Sequence, residues 1–499
     1  MDSSFIFHHF SFKIKKMTLF LIGLVMLVVG YYTYGRIVEK ILQPDDRETP
    51  AFTKADGIDY VVLPKWKNML IQLLNIAGVG PVMGAILGIK FGPMVFLVIP
   101  IGNILGGAVH DFASGMFSLR HGGSSLTTQM EKMLLPGMNK LMAVFMMVLL
   151  LLCVAVFINV PAHLTVQIPK DATQYFWWVV SAIFLYYIAA TLFPVDKIIG
   201  KIYPFFGGML LIGTLLLGIS IVYKWFTGTE DFLAMTQAMT DAVPKQGPFI
   251  PCFFVTMACG VLSGFHATQS PIVARTMKSE REARSTFYGM MVIEGIIAMI
   301  WAAGAMAMYH LQPELLTTNP NSVLVKIAQG FLGNQVGVLT IIAVIILAVT
   351  TGDTAMRSMR LSLAEMTHIS QRSIVSRLML SLPLIVIIAG LLIWSNRDEH
   401  AFGILWNYFA WGNQVLAAST LLGCTVWLSA RRRCYWITLI PAVFMTFVVT
   451  SFILWAPHEF KLPQGFNLQQ NVSYGLAAVI ALGLGIMEVI RGRRMKEED

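Results

Sequence analysis

Apolar runs close to twenty residues long recur along the whole chain, and the charged residues collect in the short connections between them. Twenty residues of helix rise about 30 Å, the thickness of the hydrocarbon core of a bilayer. The pattern predicts about thirteen spans, over 18–35, 68–89, 93–117, 141–160, 175–193, 203–223, 248–271, 286–310, 335–352, 376–395, 402–429, 435–455 and 472–490. No long polar block interrupts them, so no soluble domain is expected. The fold class that follows is all-α and integral to a membrane, with about 13 transmembrane helices.

Two spans depart from the pattern. The second places Gly78, Gly80 and Pro81 at mid-membrane. Proline removes a helix hydrogen bond and crowds the preceding turn, and glycine permits the unwound backbone that results. The seventh carries Gly260 and Gly264 and a dense polar run that ends in Gln269-Ser270-Pro271. Unwound backbone at that depth is tolerable only against protein or a wet cavity. Spans two to six form one unit of five and spans seven to eleven a second, and an odd number of spans inverts the second copy. This is a five-plus-five inverted repeat with two broken helices around a midplane site. It divides the chain into an extra N-terminal span and cytoplasmic linker (1–66), repeat one (67–223), repeat two (248–429), and two extra C-terminal spans with a basic tail (430–499). Half-helix N-termini offer N–H groups to an anion, and unwound carbonyls suit a cation. The expected substrate-binding residues are therefore Gly78, Val79, Gly80 and Pro81 with Ser263, Gly264, Phe265, His266, Thr268 and Gln269. Ordinary kinks with packing glycines are the plainer alternative.

Composition agrees: 56% of the 499 residues are hydrophobic and 13% charged, about half the charge of a soluble protein. The net charge of +9 changes meaning once mapped. With the 36–67 connection placed in the cytoplasm, 26 of the 36 Lys and Arg fall on the cytoplasmic side and seven outside. That is the positive-inside bias of membrane proteins and puts the C-terminus in the cytoplasm. The lipid bilayer is thus the expected partner, and nucleic acid is not. Lys13, Lys15 and Lys16 precede the first span and would lie outside. Either Met17 is the true start or the first span lies differently. No cleavage pattern follows the apolar stretch from Met17 to Gly35, so no cleavable signal is expected. The five cysteines have no C-x-x-C spacing and read as small buried residues rather than metal or redox groups.

Several motifs carry a family resemblance. Ala55-Asp56-Gly57-Ile58-Asp59-Tyr60, Gly78-Val79-Gly80-Pro81 and Gly106-Gly107-Ala108-Val109-His110-Asp111-Phe112 resemble the N-terminal half of the carbon starvation protein A (CstA) family. Ser263-Gly264-Phe265-His266-Ala267-Thr268 resembles its second broken helix, and Trp411-Gly412-Asn413-Gln414-Val415-Leu416-Ala417 its "ANQ-L-A" signature. The motifs fall in the family's order over roughly 55–425. The resemblance implies a bacterial cytoplasmic-membrane transporter linked to peptide uptake in starvation, or, as in some relatives, a pyruvate/proton symporter. It also implies the LeuT-like core of the amino acid–polyamine–organocation superfamily. The chain departs from the family in His110, where Gln is expected, in the ending Gln269-Ser270-Pro271, and in being short for the family, without the further C-terminal spans of its longer members.

Ionisable groups inside a span are functional candidates by default. His266, at the second break, could carry a proton or bond substrate, or be a neutral histidine on an unwound carbonyl. Glu294 is either a proton-relay carboxylate or one buried against a donor. Thr350, Thr351 and Asp353 end the ninth span, where the superfamily's sodium-dependent members bind a cation; Asp353 could instead cap the next helix and pair with Arg357. His110 and Asp111 could form an inner gate with Arg120 or His121. His110 and His121 alone make no zinc site, so no metal is expected. Asn75, Asn103, Asn159, Asn407, Asn413 and Gln414 serve interhelical hydrogen bonds or touch the substrate, and Asn407, Asn413 and Gln414 join the expected substrate-binding residues. Walker A, H-E-x-x-H, G-x-S-x-G and TVGYG-like sequences are absent, so no cofactor, catalysis or channel filter is expected. The expected function is secondary active import of a small carboxylate-bearing nutrient (peptide, pyruvate or amino acid), driven by H+ or Na+. The rivals are a solute sensor that does not transport, and an intramembrane enzyme using His110, Asp111 and Glu294.

Overall fold

A computed structural model of the chain describes residues 3–134, 137–168, 172–192, 195–228, 247–257, 259–317, 320–371, 373–397, 399–457 and 465–495. Lys170, Lys245, Arg372, Lys461 and the tail after Met495, all counted in the charge balance, lie outside them, as do the side chains of Lys13, Lys15, Lys16, Lys197 and Lys201.

In hydrocarbon every backbone N–H and C=O must find its partner within the segment, so apolar runs of this length become helices. Among the described residues ten helices are long and apolar enough to cross a membrane, and an eleventh span forms if Lys65–Ile76 and Val79–Phe91 are taken as one bent unit. All the spans expected from the sequence fall on helix. The first is α1 (Ser3–Tyr32) with α2 (Tyr34–Leu42). The second is split into α3 (Lys65–Ile76) and α4 (Val79–Gly88). The third is α5 (Val95–Gly102) and α6 (Ala108–Arg120), joined by a π turn over Asn103–Gly107. Then come α7 (Met138–Gln167), α8 (Phe176–Leu192) and α9 (Val195–Thr227). The seventh is split into α10 (Phe249–Thr256) and α11 (Phe265–Ala274). A second π turn, Arg284–Tyr288, leads into α12 (Gly289–Leu311). The chain continues through α13 (Pro320–Thr367), α14 (Ile374–Ser395), α15 (Glu399–Ala430), α16 (Trp436–Trp455) and α17 (Gln470–Arg494).

Burial ranks these helices. The span ending in α12 is 89% buried over its apolar window, against 28% for α17 and for the first span. So α12 is central and the chain's ends are peripheral. The broken pair α3/α4 packs on α12 and α13, α11 packs on α6, and α13 runs along α7.

The ninth span differs from its expected bounds. The polar run Thr350 to Thr354 reads as the end of a span, yet α13 continues to Thr367 after a kink at Gly333. Thr350, Thr351, Asp353, Thr354 and Arg357 are all buried. They face protein, a distinction from lipid that hydropathy does not make.

The 43–64 linker crosses one end of the bundle and ties it together. Thr49 Oγ1 donates to Met277 O (2.6 Å), and the Leu63 N–H to Thr276 O (3.0 Å). Asp59 lies against two fully buried arginines, Arg357 (3.1 Å) and Arg360 (3.4 Å). Burial alone would push the Asp59 carboxyl up, but Arg360, Arg357 and Arg275 outweigh it and hold it below the usual range. Arg120 meets Glu280 (3.1 Å), and Arg275 meets Glu365 (2.7 Å). At the rim, the hydrogen bond from Arg47 holds Asp45 down at about 2.

Candidate functional site

The first break begins where α3 gives way to Ala77 (φ −80°, ψ 41°) and Gly78 (φ −61°, ψ −154°). The chain restarts as α4 at an angle of 45°. The Leu74 carbonyl, left without its helical partner, accepts the Thr351 hydroxyl at 2.9 Å. A Cβ on Gly80 would run into the Cys259 sulfur, so the two breaks touch here and glycine is required. On α3, the side-chain amides of Gln72 and Asn75 are buried with no hydrogen-bond partner among the described residues.

The second break is built differently. Gly260 takes φ +84°, a left-handed conformation that favours glycine. Its N–H donates to Glu294 Oε1 (3.0 Å) and its carbonyl accepts from Asn103 Nδ2 (2.9 Å), which also donates to Met291 O (2.8 Å). The Phe265 N–H donates to Asn413 Oδ1 (2.7 Å), and the Asn413 amide donates to the Ser263 hydroxyl (3.0 Å). Gln414 Nε2 donates to Phe254 O (2.8 Å), closing the end of α10. Thr268 Oγ1 donates to Phe265 O (2.6 Å) and accepts from Gln269 Nε2 (2.7 Å). Side chains thus supply what the missing helical turn would have supplied.

Beside this break lies a group of ionisable side chains with no solvent exposure. His266 Nδ1 is 3.1 Å from Asp111 Oδ2, and His110 Nδ1 is 2.9 Å from Asp111 Oδ1. On its other side, His266 Nε2 lies 3.7 Å from Glu294 Oε2. Phe265 stacks on Phe157 with ring centroids 6.1 Å apart, and Phe409 meets Phe157 edge-on.

The structure therefore unites His266, Glu294, Asp111, Ser263, Gly264, Phe265, Thr268, Gln269, Asn413 and Gln414 around one break, with Gly78, Val79, Gly80 and Pro81 at the other. The gate reading paired Asp111 with Arg120 or His121, and the structure places it against His266 instead. Arg120 belongs to the linker network, and His121 stacks on Phe117 beyond the end of α6. Of the ninth-span residues, Thr351 reaches the first break, and Asp353 accepts the Tyr186 hydroxyl (3.2 Å) from α8. Asp353 caps no helix because α13 runs through it, and Arg357 goes to Asp59. Asn407, half-buried almost two turns before Asn413, makes no hydrogen bond to the group among the described residues. Asn159 donates to Ser395 Oγ (3.0 Å), an interhelical bond. Sequence reading passed over Cys259: its sulfur, His266 and Glu294 offer three ligand atoms within 4.8 Å of one another. The seven-residue spacing to His266 carries no helical signal, because the intervening chain is unwound.

A family model described as "Carbon starvation protein CstA" matches residues 15–190, 176–330 and 315–452. An uncharacterized membrane protein of Haemophilus influenzae is 39% identical over 339 residues, covering 58% of this chain and 91% of the relative. The peptide transporter CstA of Bacillus subtilis is 27% identical over 347 residues, 58% of each chain. The pyruvate/proton symporter BtsT of Escherichia coli is 26% identical over 336 residues, 55% of this chain and 47% of that one. The chain thus spans about half the length of these named transporters. Among solved structures, a manganese transporter of Eremococcus coleocola superposes with a TM-score of 0.53 at 14% identity, covering 88% of this chain and 99% of that one. MhsT in complex with L-phenylalanine superposes with 0.54 at 13%, covering 86% and 99%. These likenesses show the LeuT-like transporter fold.

Proposed function

The chain belongs to the carbon starvation protein CstA family, and on that premise we propose that it is a secondary active transporter importing a small carboxylate-bearing nutrient, a short peptide or pyruvate, across a bacterial cytoplasmic membrane. The observation that carries this reading is the meeting of two unwound helices beside an enclosed polar group. The first turn of α4 has N–H groups without helical partners at Val79 and Gly80, while Pro81 has none to offer. With the unpartnered amides of Gln72 and Asn75 they form a neutral, donor-rich lining for a carboxylate. At the second break side chains already take up the Gly260 and Phe265 N–H groups and the Gly260 and Phe254 carbonyls, and this break serves as the fixed wall. The proton is the favoured coupling ion, because a relative is named a pyruvate/proton symporter. Sodium is the alternative, with Thr351, whose hydroxyl reaches the first break, as a candidate ligand. The charge balance supports a cytoplasmic 43–64 linker and C-terminus, and the family name supports a role in starvation.

The test is pyruvate-dependent proton entry into proteoliposomes loaded with a pH-sensitive dye, against empty liposomes. Acidification supports coupled carboxylate import, and acidification with short peptides in place of pyruvate assigns a peptide carrier. If neither solute nor a sodium gradient drives uptake by folded protein, while the solutes still raise its unfolding temperature, a sensor replaces the transporter. His266→Ala is expected to abolish gradient-driven uptake in a folded chain; uptake at the wild-type rate removes His266 from the mechanism.

A further inference from the structure

Cys259, His266 and Glu294 come from the second break and from α12, and all three are buried. The 3.7 Å between His266 Nε2 and Glu294 Oε2 is too long for a hydrogen bond. It is a few tenths of an ångström longer than the roughly 3.3–3.5 Å edge of a tetrahedron whose nitrogen and oxygen corners lie about 2.0–2.2 Å from a zinc ion. Both of these atoms are buried and have no hydrogen-bond partner among the described residues, an arrangement that native structures seldom leave unresolved. The far side of each ligand is held. His266 Nδ1 faces Asp111, whose second oxygen is fixed by His110. Glu294 Oε1 accepts the Gly260 N–H, and the Cys259 sulfur lies 3.7 Å from the Ser263 hydroxyl. An imidazole that turns one nitrogen to a carboxylate and the other to an open point is the usual posture of a metal-bound histidine.

We propose that Cys259, His266 and Glu294 bind a divalent transition-metal ion of the zinc type. A thiolate, an imidazole and a carboxylate suit such an ion, whereas calcium and magnesium take oxygen ligands. Three protein ligands leave a fourth position open to water or another oxygen ligand. Asp111 is a positioning residue that acts through the His266 ring. A proton shared between His266 and Glu294 is the competing occupant, and it makes no use of Cys259. The inference concerns binding alone and stands whether or not the transport reading survives.

The experiment uses the full chain, stripped with a chelator and titrated with Co2+ and then Zn2+ in detergent. One ion per chain is expected, with an intense near-ultraviolet thiolate-to-cobalt band that Zn2+ displaces. Cys259→Ser removes the band and weakens binding, and Asp111→Asn weakens binding by about 10- to 100-fold while keeping the band. Cys434→Ser, an exposed cysteine elsewhere in the chain, changes neither. If Cys259→Ser does not fold, the wild-type chain alone decides: Zn2+ raises its unfolding temperature and a chelator reverses the rise. Absence of the cobalt band in folded protein, its persistence in Cys259→Ser, or no zinc-dependent rise overturns the proposal.

Discussion

The two breaks solve one physical problem in opposite ways. At the second, Asn103, Glu294, Asn413, Ser263 and Gln414 take up the unwound backbone, and Gly264 lies so close to the Asn413 and Ala417 backbone that a side chain has no room. At the first, a single hydroxyl, that of Thr351, answers a single carbonyl, while the amides of Gln72 and Asn75 stay unpaired. A buried polar group costs free energy unless it is hydrogen-bonded. The first break therefore keeps whole amides in reserve, donors included, whereas the second has committed its amide donors to its own structure and keeps, among the described residues, only His266 Nε2, Glu294 Oε2 and the amide oxygens of Asn103, Gln269 and Gln414. In a carrier this division separates the part that meets the solute from the part that supports it.

Substitutions at the two breaks should then differ in sign as well as size. The largest effect calibrates the scale from outside both. Asp59→Asn leaves Arg357 and Arg360 buried beside a neutral group and is expected to destabilise the protein by about 3–5 kcal/mol. Because the Asp59 carboxyl is held below its usual range, its contribution is complete above the ordinary carboxylate pKa and is lost as pH falls through the depressed value. Thermal unfolding between pH 7 and pH 3 should show that loss in the wild-type chain, and a smaller one in the variant. Next comes Asn413→Leu, which strips the Phe265 N–H and Ser263 of their partner. It should cost about 1–3 kcal/mol and most of the uptake; unchanged unfolding and uptake would show the second break to be less fixed than its bonds suggest. Asn103→Leu frees two carbonyls, which tolerate under-satisfaction better than an N–H, so about 1–2 kcal/mol is expected. The smallest stability change belongs to Asn75→Leu and Gln72→Leu. They remove polar atoms that have no partner, and unfolding should be unchanged or raised by up to about 1 kcal/mol. Uptake should nevertheless weaken. Destabilisation by either variant would erase the contrast between the two breaks.

Much of this was legible before any coordinates. The spans follow from apolar length alone, and Gly78, Gly80, Pro81 and Gly264 mark both breaks because few other residues permit unwound backbone there. Contacts between residues far apart in the chain were not legible. Asp111 and His266 are separated by 155 positions, and nothing local distinguishes a carboxylate that faces a histidine from one that faces an inner gate. Cys259 looked like packing because cysteines usually are. The extent of α13 was misjudged because Thr350 to Thr354 are polar where lipid would forbid it, and only the neighbouring helices turn that face inward. Asp59 stood inside a recognisable motif, yet its arginines lie about 300 positions on, at 357 and 360.

Beyond its kink at Gly333, α13 is one uninterrupted rod, and three other parts of the molecule are fastened to it at successive heights. Thr351 holds the first break, Arg357 and Arg360 hold the linker, Ser358 donates to the Thr268 carbonyl of α11, and Glu365 receives Arg275 from the end of α11. From Thr351 to Glu365 is about 21 Å of helix. A clamp with fastenings along its length opens like a zip, from the free end inward. Arg275 would let go first, then Arg360, then Ser358, with the linker free only once Arg357 follows and the first break released last, so the order of release is written into the spacing of side chains along a single helix.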